Sequence, residues 1–290
     1  MTAGTDVPAT ATETTAPTPL PEPRKRPKKK SSAANWIAPI VVFGLLIGVW
    51  YLISYVVLDP ARRFLMPPPH AVALEVLDDK IRAEILAGLG RTTVVALIGL
   101  AIAIVIGVGW GILMAQGPWA ERALFPYAVV LQCIPILALV PLIGFWFGFG
   151  SFARVLVCVM IALFPMVSNT LFGLQSVDRG QRELFALQKA SRSTVLWKLQ
   201  FPAALPAIFA GMRISAGLAV VGAIVGDFFF RQGKPGIGIL LSNYTSRLQA
   251  EALFLAIFAA SLLGFLIFMA FGWLRTLVVG RWYDTTAEGG

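Results

Sequence analysis

The chain is poor in charge and in the side chains that usually carry chemistry. Only 13% of its 290 residues are charged, whereas an ordinary soluble domain has roughly 25%. It contains one histidine, His70, and two cysteines, Cys133 and Cys158, which both lie in apolar runs. So few charged residues could not cover the exposed surface of a soluble fold of this length. The composition therefore argues against a soluble enzyme, a fibrous protein and a fully disordered chain.

The shortage of histidine and cysteine also bears on metal and disulfide chemistry. Two isolated thiols in apolar surroundings are typical of small core residues. His70 follows three prolines in a loop and has no second histidine to share a metal with, so we expect neither a metal site nor a cofactor. The chain also lacks the G-x-x-x-x-G-K-[ST] phosphate-binding pattern, so we do not expect it to be an enzyme that hydrolyses nucleotides.

The chain instead contains several long runs of residues that carry no charge. Hydrophobic residues make up 57% of the chain, and the mean hydropathy is +0.77. About 20 apolar residues span the hydrocarbon core of a bilayer, where the backbone must satisfy its own hydrogen bonds. We therefore predict an all-α membrane protein embedded in the lipid bilayer. Its six transmembrane helices are expected at residues 36–58, 92–114, 124–147, 155–174, 207–229 and 252–273.

The rest of the chain divides around these helices. Residues 1–34 lack an apolar period and are expected to form a disordered cytoplasmic tail, followed by the first transmembrane helix at 35–58. An external segment at 59–91 carries four apolar residues at helical spacing, which predicts one amphipathic helix: Leu74, Leu77, Ile81 and Ile85. The membrane core is expected at 92–281, with a long loop at 175–206, and a short C-terminal tail at 282–290.

Positive charge indicates the orientation. A basic run at residues 24–30 directly precedes the first helix, as is typical of the cytoplasmic side of a membrane. With the N-terminus inside, fourteen of the 24 Lys and Arg residues fall on the inner side. We therefore expect a multi-pass protein with both termini cytoplasmic. The net charge of +9 then reflects topology and anionic lipid rather than nucleic acid.

The loop at 175–206 is too polar to span and too apolar to be a free linker. Its composition predicts two short helices, one at 183–190 and one at 194–200, with Ser193 as the N-cap of the second. Pro202 and Pro206 are expected to end the loop. Two interpretations stay open at this point, because such a hairpin can dock a soluble partner or pack back on its own bundle.

This loop resembles the signature of inner-membrane permease subunits of binding-protein-dependent ABC importers. That signature is Glu-Ala-Ala, three residues, Gly, nine residues, then Ile-x-Leu-Pro. Glu183 takes the place of its Glu, and Pro202 takes the place of its final Pro. Leu184 and Phe185 replace the two alanines, and Lys189 replaces the glycine.

The surroundings are similar to one subgroup of that family, the nitrate, sulfonate and taurine type, which includes permeases for thiamine pyrimidines and riboflavin. The similar segments are Ala190-Ser191-Arg192, the run FPAALP at 201–206, GMRI at 211–214 and VGAIVGDF at 221–228. The resemblance extends over residues 88–281, most of the chain beyond the first helix.

The resemblance implies a fold and partners. The fold is the transmembrane domain of a type I ABC importer, in which two permease copies, here as a homodimer, form the pathway in the bacterial inner membrane. Cytoplasmic ATP-binding subunits dock on a coupling loop, and an extracytoplasmic substrate-binding protein delivers a small polar or anionic nutrient, such as a sulfonate, nitrate or vitamin precursor. The coupling residues it implies are Glu183, Leu184, Phe185, Lys189, Ala190, Ser191, Arg192 and Pro202.

Four polar side chains in the predicted spans are candidates for a pathway or gate, because polar groups at membrane depth are costly: Gln132, Asn169, Arg213 and Asp227. Asp227 has Arg231 four residues on, which favours an ion pair within one helix, although contact with cargo is the alternative. Interhelical hydrogen bonding is the simpler role for Gln132 and Asn169.

Two other classes of protein compete with the importer subunit. A stand-alone secondary transporter or channel predicts paired intramembrane charges or inverted repeats. A membrane-embedded enzyme would need a cluster of His, Cys or acidic residues near the interface. The sequence shows neither pattern, so the permease interpretation is favoured.

Overall fold

The computed structural model of the chain describes residues 34–280. The predicted tail, its basic run at 24–30 and the C-terminal tail at 282–290 therefore lie outside the described residues. Helix α1 covers Ala34–Leu52 and continues as a π-helical turn over Ile53–Val57. Its first part, up to Leu46, belongs to a separate compact unit, and the description below concerns the unit that begins at Ile47.

The connecting segment consists of short pieces: a 3-10 helix at Pro60–Leu65, α2 at Pro69–Leu74 and a 3-10 turn at Glu75–Leu77. The amphipathic helix predicted there is wrong as a single element. Asp78 breaks it, because its carboxylate accepts hydrogen bonds from the backbone N–H groups of Lys80 (2.9 Å) and Ile81 (3.0 Å) and so caps a new helix. That helix is α3, Asp79–Met114, which continues directly into the membrane span.

Beyond α3 the chain forms eight more α-helices up to Val279. They are α4 (Pro118–Cys133), α5 (Ile136–Phe147), α6 (Ser151–Gln175), α7 (Arg179–Leu187), α8 (Arg192–Val195), α9 (Phe201–Phe229), α10 (Ile237–Ser246) and α11 (Ala250–Val279). Five helical stretches of the described chain are long and apolar enough to cross a membrane, and a sixth span results if the bent pair α4–α5 counts as one. The predicted all-α fold with six apolar spans is confirmed in this form.

The predicted span at 124–147 is broken in the middle. Helices α4 and α5 meet at an angle of 96°. Pro135 explains the break, since it has no N–H to donate and forces the preceding Ile134 into an extended conformation (φ −65°, ψ 126°). Pro135 then starts α5 by accepting a hydrogen bond from the N–H of Ala138 (2.9 Å). Pro141 and Pro165, in contrast, lie inside helices that continue past them.

The core of the bundle is α6, which packs between α3 and α9. Glycines on both neighbours let the helices approach closely. A Cβ atom added at Gly222 of α9 would lie 2.8 Å from the Cα atom of Cys158, and one at Gly107 of α3 would lie 3.3 Å from the backbone of Met166. Cys158 is buried there and donates to the carbonyl of Ala219 (3.2 Å), so its predicted core position is right. Cys133, however, is exposed.

This packing gives a matched test on two glycines of equal chemistry. We expect Gly222→Ala to destabilise the bundle by about 1–3 kcal/mol, because the new methyl group meets backbone that cannot move aside cheaply. Gly109→Ala should be neutral or slightly stabilising, since nothing lies within 4 Å of its added Cβ and alanine favours a helix. Thermal unfolding of both variants in detergent checks this, and equal melting temperatures would contradict the close packing of α6 on α9.

Candidate functional site

Two ends of the bundle carry the polar features. Helices α7 and α8 precede α9 in the chain, and α10 follows it, so they lie at opposite ends of α9. We call these the α7 end and the α10 end. The predicted coupling residues lie at the α7 end, and the buried charges lie at the α10 end.

Helix α7 is anchored to the bundle at its start only. The Asp178 carboxylate caps it by accepting from the N–H of Gly180 (3.1 Å). Arg182 donates to the carbonyls of Leu174 (3.3 Å) and Gln175 (2.9 Å), which are among the last carbonyls of α6 and have no helical partner of their own. The root of α7 is thus fixed to the end of α6.

The remainder of α7 projects from the bundle. None of its residues is buried, and the leucine side chains Leu184 and Leu187 are 55% and 82% exposed. Phe185 is half-buried. Glu183 is exposed and lies 4.0 Å from Arg179, an ion pair too solvated to hold the helix. Of the two interpretations left open by the sequence, this exposure favours a docking element over a hairpin packed on its own bundle.

The turn after α7 has the conformation for which the motif uses glycine, and Lys189 adopts it. Lys189 has a φ of 52°, in the left-handed region. Its N–H donates to the carbonyl of Ala186 (2.9 Å), and the N–H of Ala190 donates to that of Phe185 (3.1 Å), which is the Schellman pattern of a helix end. Glycine favours this conformation. Lysine therefore keeps the turn that a glycine of the motif would adopt without strain.

The second predicted helix is wrong in its cap and in its end. Ser191, not Ser193, is the N-cap, with its hydroxyl accepting from the N–H of Thr194 (3.2 Å). Helix α8 is not separate either, because it passes through a π-helical turn at Leu196–Gln200 into α9. Pro202, in the first turn of α9, has no N–H to donate, and the wider turn lets Phe201 bond the Leu196 carbonyl instead. Residues Arg192–Phe229 thus form one helical stretch of 38 residues.

At the α10 end, an aspartate and an arginine are buried together. Asp227 on α9 and Arg154 on α6 are 1% and 3% exposed, and Arg154 Nη1 lies 2.9 Å from Asp227 Oδ1. Thr92 on α3 donates its hydroxyl hydrogen to Asp227 Oδ2 (2.7 Å) and accepts from the N–H of Ile237, the first residue of α10 (2.9 Å). This polar cluster joins four helices.

Arg154 also holds the loop between α9 and α10. Its guanidinium donates to the carbonyls of Phe230 (2.6 Å from Nη2), Gln232 (2.7 Å) and Lys234 (3.3 Å). Because an unpaired charge in an apolar bundle is very costly, this array of acceptors allows the arginine to be buried. The loop path is fixed in return. Gly236 completes the fit, since an added Cβ there would overlap the Asp227 carboxylate.

The ion pair predicted between Asp227 and Arg231 is therefore wrong. Arg231 donates to the hydroxyl of Ser242 on α10 (2.7 Å). The i, i+4 spacing allows Asp227 to pair with Arg231, but the Asp227 carboxylate lies on the buried side of α9, where Arg154 of α6 packs against it. Sequence reasoning missed Arg154 and Thr92. The signal for Arg154 in the sequence is its position as a single charge between two apolar runs.

The other three pathway candidates do not gather at this cluster. Gln132 is exposed and lines a cleft of about 240 Å³ at the bend between α4 and α5. The amide of Asn169 donates to the Pro165 carbonyl of its own helix (2.8 Å), so the predicted interhelical bond is not formed. The Arg213 guanidinium lies 4.0 Å from the ring centre of Phe268 on α11, a cation–π contact. Within residues 34–280, no group of three or more His, Cys, Asp or Glu side chains could hold a metal ion.

Comparisons with known proteins find a matching family model and similar curated relatives. The family model described as "Binding-protein-dependent transport system inner membrane component" matches residues 103–282. The formylaminopyrimidine transport permease protein ThiX of Halalkalibacterium halodurans is 32% identical over 83% of this chain and 94% of that protein. The nitrate import permease protein NrtB of Synechocystis is 31% identical over 70% of this chain and 71% of that protein.

A solved structure shares the fold. A chain of the MetNI methionine ABC transporter, in an inward-facing conformation, superposes with a TM-score of 0.60 at 17% identity. The match covers 70% of this chain and 99% of that chain. At this identity the likeness is one of fold alone.

The left-handed turn at Lys189 can be tested by substitution. We expect Lys189→Gly to stabilise the end of α7 by about 1 kcal/mol, because glycine adopts a positive φ without steric cost. Lys189→Val should have the opposite effect, since a β-branched residue fits this conformation worst. Hydrogen exchange at the amides of Lys189 and Ala190 measures the change. Faster exchange in the glycine variant would contradict the turn.

The buried pair predicts an order among three variants. Arg154→Met should destabilise by about 3–5 kcal/mol, because it leaves the Asp227 charge without its partner and frees three loop carbonyls. Asp227→Asn should cost less, since asparagine can still accept from Thr92. Arg231→Met serves as the control and should have a small effect. Melting temperatures measure the order, and an effect of Arg231→Met equal to that of Arg154→Met would restore the i, i+4 pairing.

Proposed function

Because the chain belongs to the family of binding-protein-dependent transport system inner membrane components, we propose that it forms the translocation pathway of an ABC importer and is driven through α7 by a separate ATPase. The chain is a multi-pass inner-membrane permease component, and its family is not known to hydrolyse ATP itself. Helix α7 takes up the energy of the ATPase, and α9 carries the movement to the other end of the bundle.

The exposure of α7 carries this proposal. Helix α7 exposes two leucines while its root is fixed to the end of α6, and it has the family's motif in register. Leu184 and Leu187 supply apolar contact, Phe185 supports them, and Glu183 and Arg192 supply charge at the rim. A soluble ATP-binding subunit that buried these side chains would remove the cost of their exposure to water.

The helical continuity after α7 suggests how the movement is transmitted. From Arg192 the chain runs through the π-helical turn into α9 without a loop. Helix α9 alone is 29 residues, about 44 Å long. Its far end carries Asp227, which is held to α3, α6 and α10. Because no flexible linker intervenes, a displacement at the α7 end would move the α10 end with it.

The pathway itself is proposed to lie between two copies of the chain, as a homodimer. The cleft at the α4–α5 bend contributes Gln132 to its wall, and Asn169 and Arg213 support the same half of the bundle by the contacts described above. Asp227 is proposed to hold the outer gate closed through the loop that Arg154 binds, rather than to touch the cargo.

The orientation and partners complete the proposal. The α7 end faces the cytoplasm together with both termini, and the α10 end faces the extracytoplasmic substrate-binding protein. The cargo is a small polar or anionic nutrient, since the relatives named above transport a formylaminopyrimidine and nitrate. The alternative is a stand-alone transporter, in which an intramembrane ion pair would take part in transport. The Arg154–Asp227 pair does not favour it, because Arg154 also binds three backbone carbonyls and so has a structural role.

Copurification tests the coupling role. Expressed with its neighbouring reading frames, the tagged chain should retain an ATP-binding subunit, and Glu183→Ala should reduce both this association and uptake. An unchanged uptake rate in Glu183→Ala, together with no ATPase in the purified complex, would refute the proposal.

A pair of exposed leucines at opposite ends gives a sharper test. We expect Leu187→Glu to reduce the copurified ATPase at least tenfold, because a charge would replace apolar contact in the buried interface. Leu248→Glu is the matched control, since Leu248 is 70% exposed at the α10 end. It should leave ATPase association unchanged. Equal losses in both variants would indicate misfolding rather than a docking surface, and no loss in either would exclude α7 as that surface.

A further inference from the structure

A polar cleft at the α10 end has no role in the coupling described above. It lies between the first turns of α3 and helix α10 and has a volume of about 480 Å³. Small-molecule sites commonly fall between roughly 300 and 1,000 Å³. Its polar wall is formed by Glu84, Arg91, Asn243, Tyr244 and Arg247. The size fits a small solute, and the wall offers both signs of charge.

Two of these groups are already held in place by the protein. Arg91 Nη1 donates to the carbonyl of Pro235 (2.7 Å), and the hydroxyl of Tyr244 donates to Glu84 Oε2 (3.1 Å). Burial and the nearby Glu84 carboxylate raise the pKa of Tyr244 above its ordinary value, so the phenol stays protonated and keeps donating. The Arg91 guanidinium and the Glu84 carboxylate therefore have fixed positions.

The same groups have hydrogen-bonding capacity left over. Among the described residues, Nε and Nη2 of Arg91 have no hydrogen-bond acceptor, Arg247 forms no side-chain hydrogen bond or ion pair, and Glu84 Oε1 receives no donor. Two guanidinium groups with free donors attract an oxyanion, which they can bind in a bidentate manner. The free carboxylate oxygen attracts a donor or cation at the other side.

The floor of the cleft is also rigid. Pro235, which Arg91 binds, follows the loop carbonyls that Arg154 holds and precedes Gly236, which packs on Asp227. A site built on a fixed backbone loses little entropy when a ligand binds. The buried cluster thus preorganises a cleft that it does not itself enter.

We propose that the cleft between α3 and α10 is a binding site for a small zwitterionic solute. Arg91 and Arg247 hold its oxyanion, and Glu84 holds its ammonium or other donor group. Asn243 adds an amide at the rim. Binding here needs neither an ATPase nor a partner protein, so the proposal can fail while the coupling role stands, and the reverse.

The test uses three probes on the purified full-length chain in lipid nanodiscs. Taurine carries a sulfonate and an ammonium, ethanesulfonate lacks the ammonium, and ethylamine lacks the sulfonate. Isothermal titration should show saturable binding of taurine, binding of ethanesulfonate about tenfold weaker, and no binding of ethylamine, since a hydrogen bond to a charged group contributes roughly a factor of ten or more. A lack of saturable taurine binding would overturn the proposal.

Substitutions separate the two halves of the site. Arg247→Gln should weaken both taurine and ethanesulfonate at least tenfold. Glu84→Gln still accepts from Tyr244, so it should weaken taurine to the level of ethanesulfonate while leaving ethanesulfonate unchanged. Melting temperatures of these variants should stay near that of the parent chain.

Lys234→Gln is the matched control, because Lys234 is exposed at the same end but outside the cleft. Its taurine affinity should be unchanged. A loss as large as that of Arg247→Gln would mean that general surface charge attracts the probe, and this would overturn the proposal. A taurine affinity that is unchanged by Glu84→Gln would also overturn the proposal, because the ammonium group of the solute would then have no carboxylate partner in the site.

Discussion

A single buried guanidinium sets the arrangement at one end of this bundle. Arg154 sits on the central helix α6, where burial of its charge would be prohibitive without acceptors on all sides. Asp227 and the carbonyls of Phe230, Gln232 and Lys234 supply them. Each of these acceptors belongs to α9 or to the loop after it, so satisfying one charge fixes the path of the chain into α10.

The two ends of the molecule differ in how their polar groups are satisfied. At the α10 end the Asp227–Arg154 pair is buried and its hydrogen bonds are satisfied by α3, α6 and the loop after α9, which favours one geometry. At the α7 end the side chains are exposed, and the helix is held only by its caps and by Arg182. A surface of this second kind suits a partner that binds and moves it, and α9 connects it to the rigid end. The bundle thus combines an exposed docking helix, α7, with a long continuous helix, α9, that connects it to the opposite end.

Particular residues show how far sequence reasoning reached. The apolar runs predicted the spans, and Pro135 divides the span at 124–147 into two helices that meet at 96°. Asp78 and Ser191 were missed as N-caps, because Asp79 and Ser193 nearby are residues of the same type and could cap equally well by sequence. Only the backbone conformation decides which of them caps. Lys189 replaces the glycine of the motif, yet the left-handed conformation is kept, since a Schellman end tolerates a non-glycine residue at moderate cost.

The sequence by itself determined the solvent, the helical class, the number of apolar spans and the place of the loop motif, because all of these follow from composition and local spacing. Only the tertiary structure decided the partner of Asp227. Arg231 is four residues away in sequence, whereas Arg154 is 73 positions earlier and on another helix. Proximity along the chain predicts pairs on a solvated surface, but a buried charge takes the partner that shares its side of the helix, and that depends on how the helices pack.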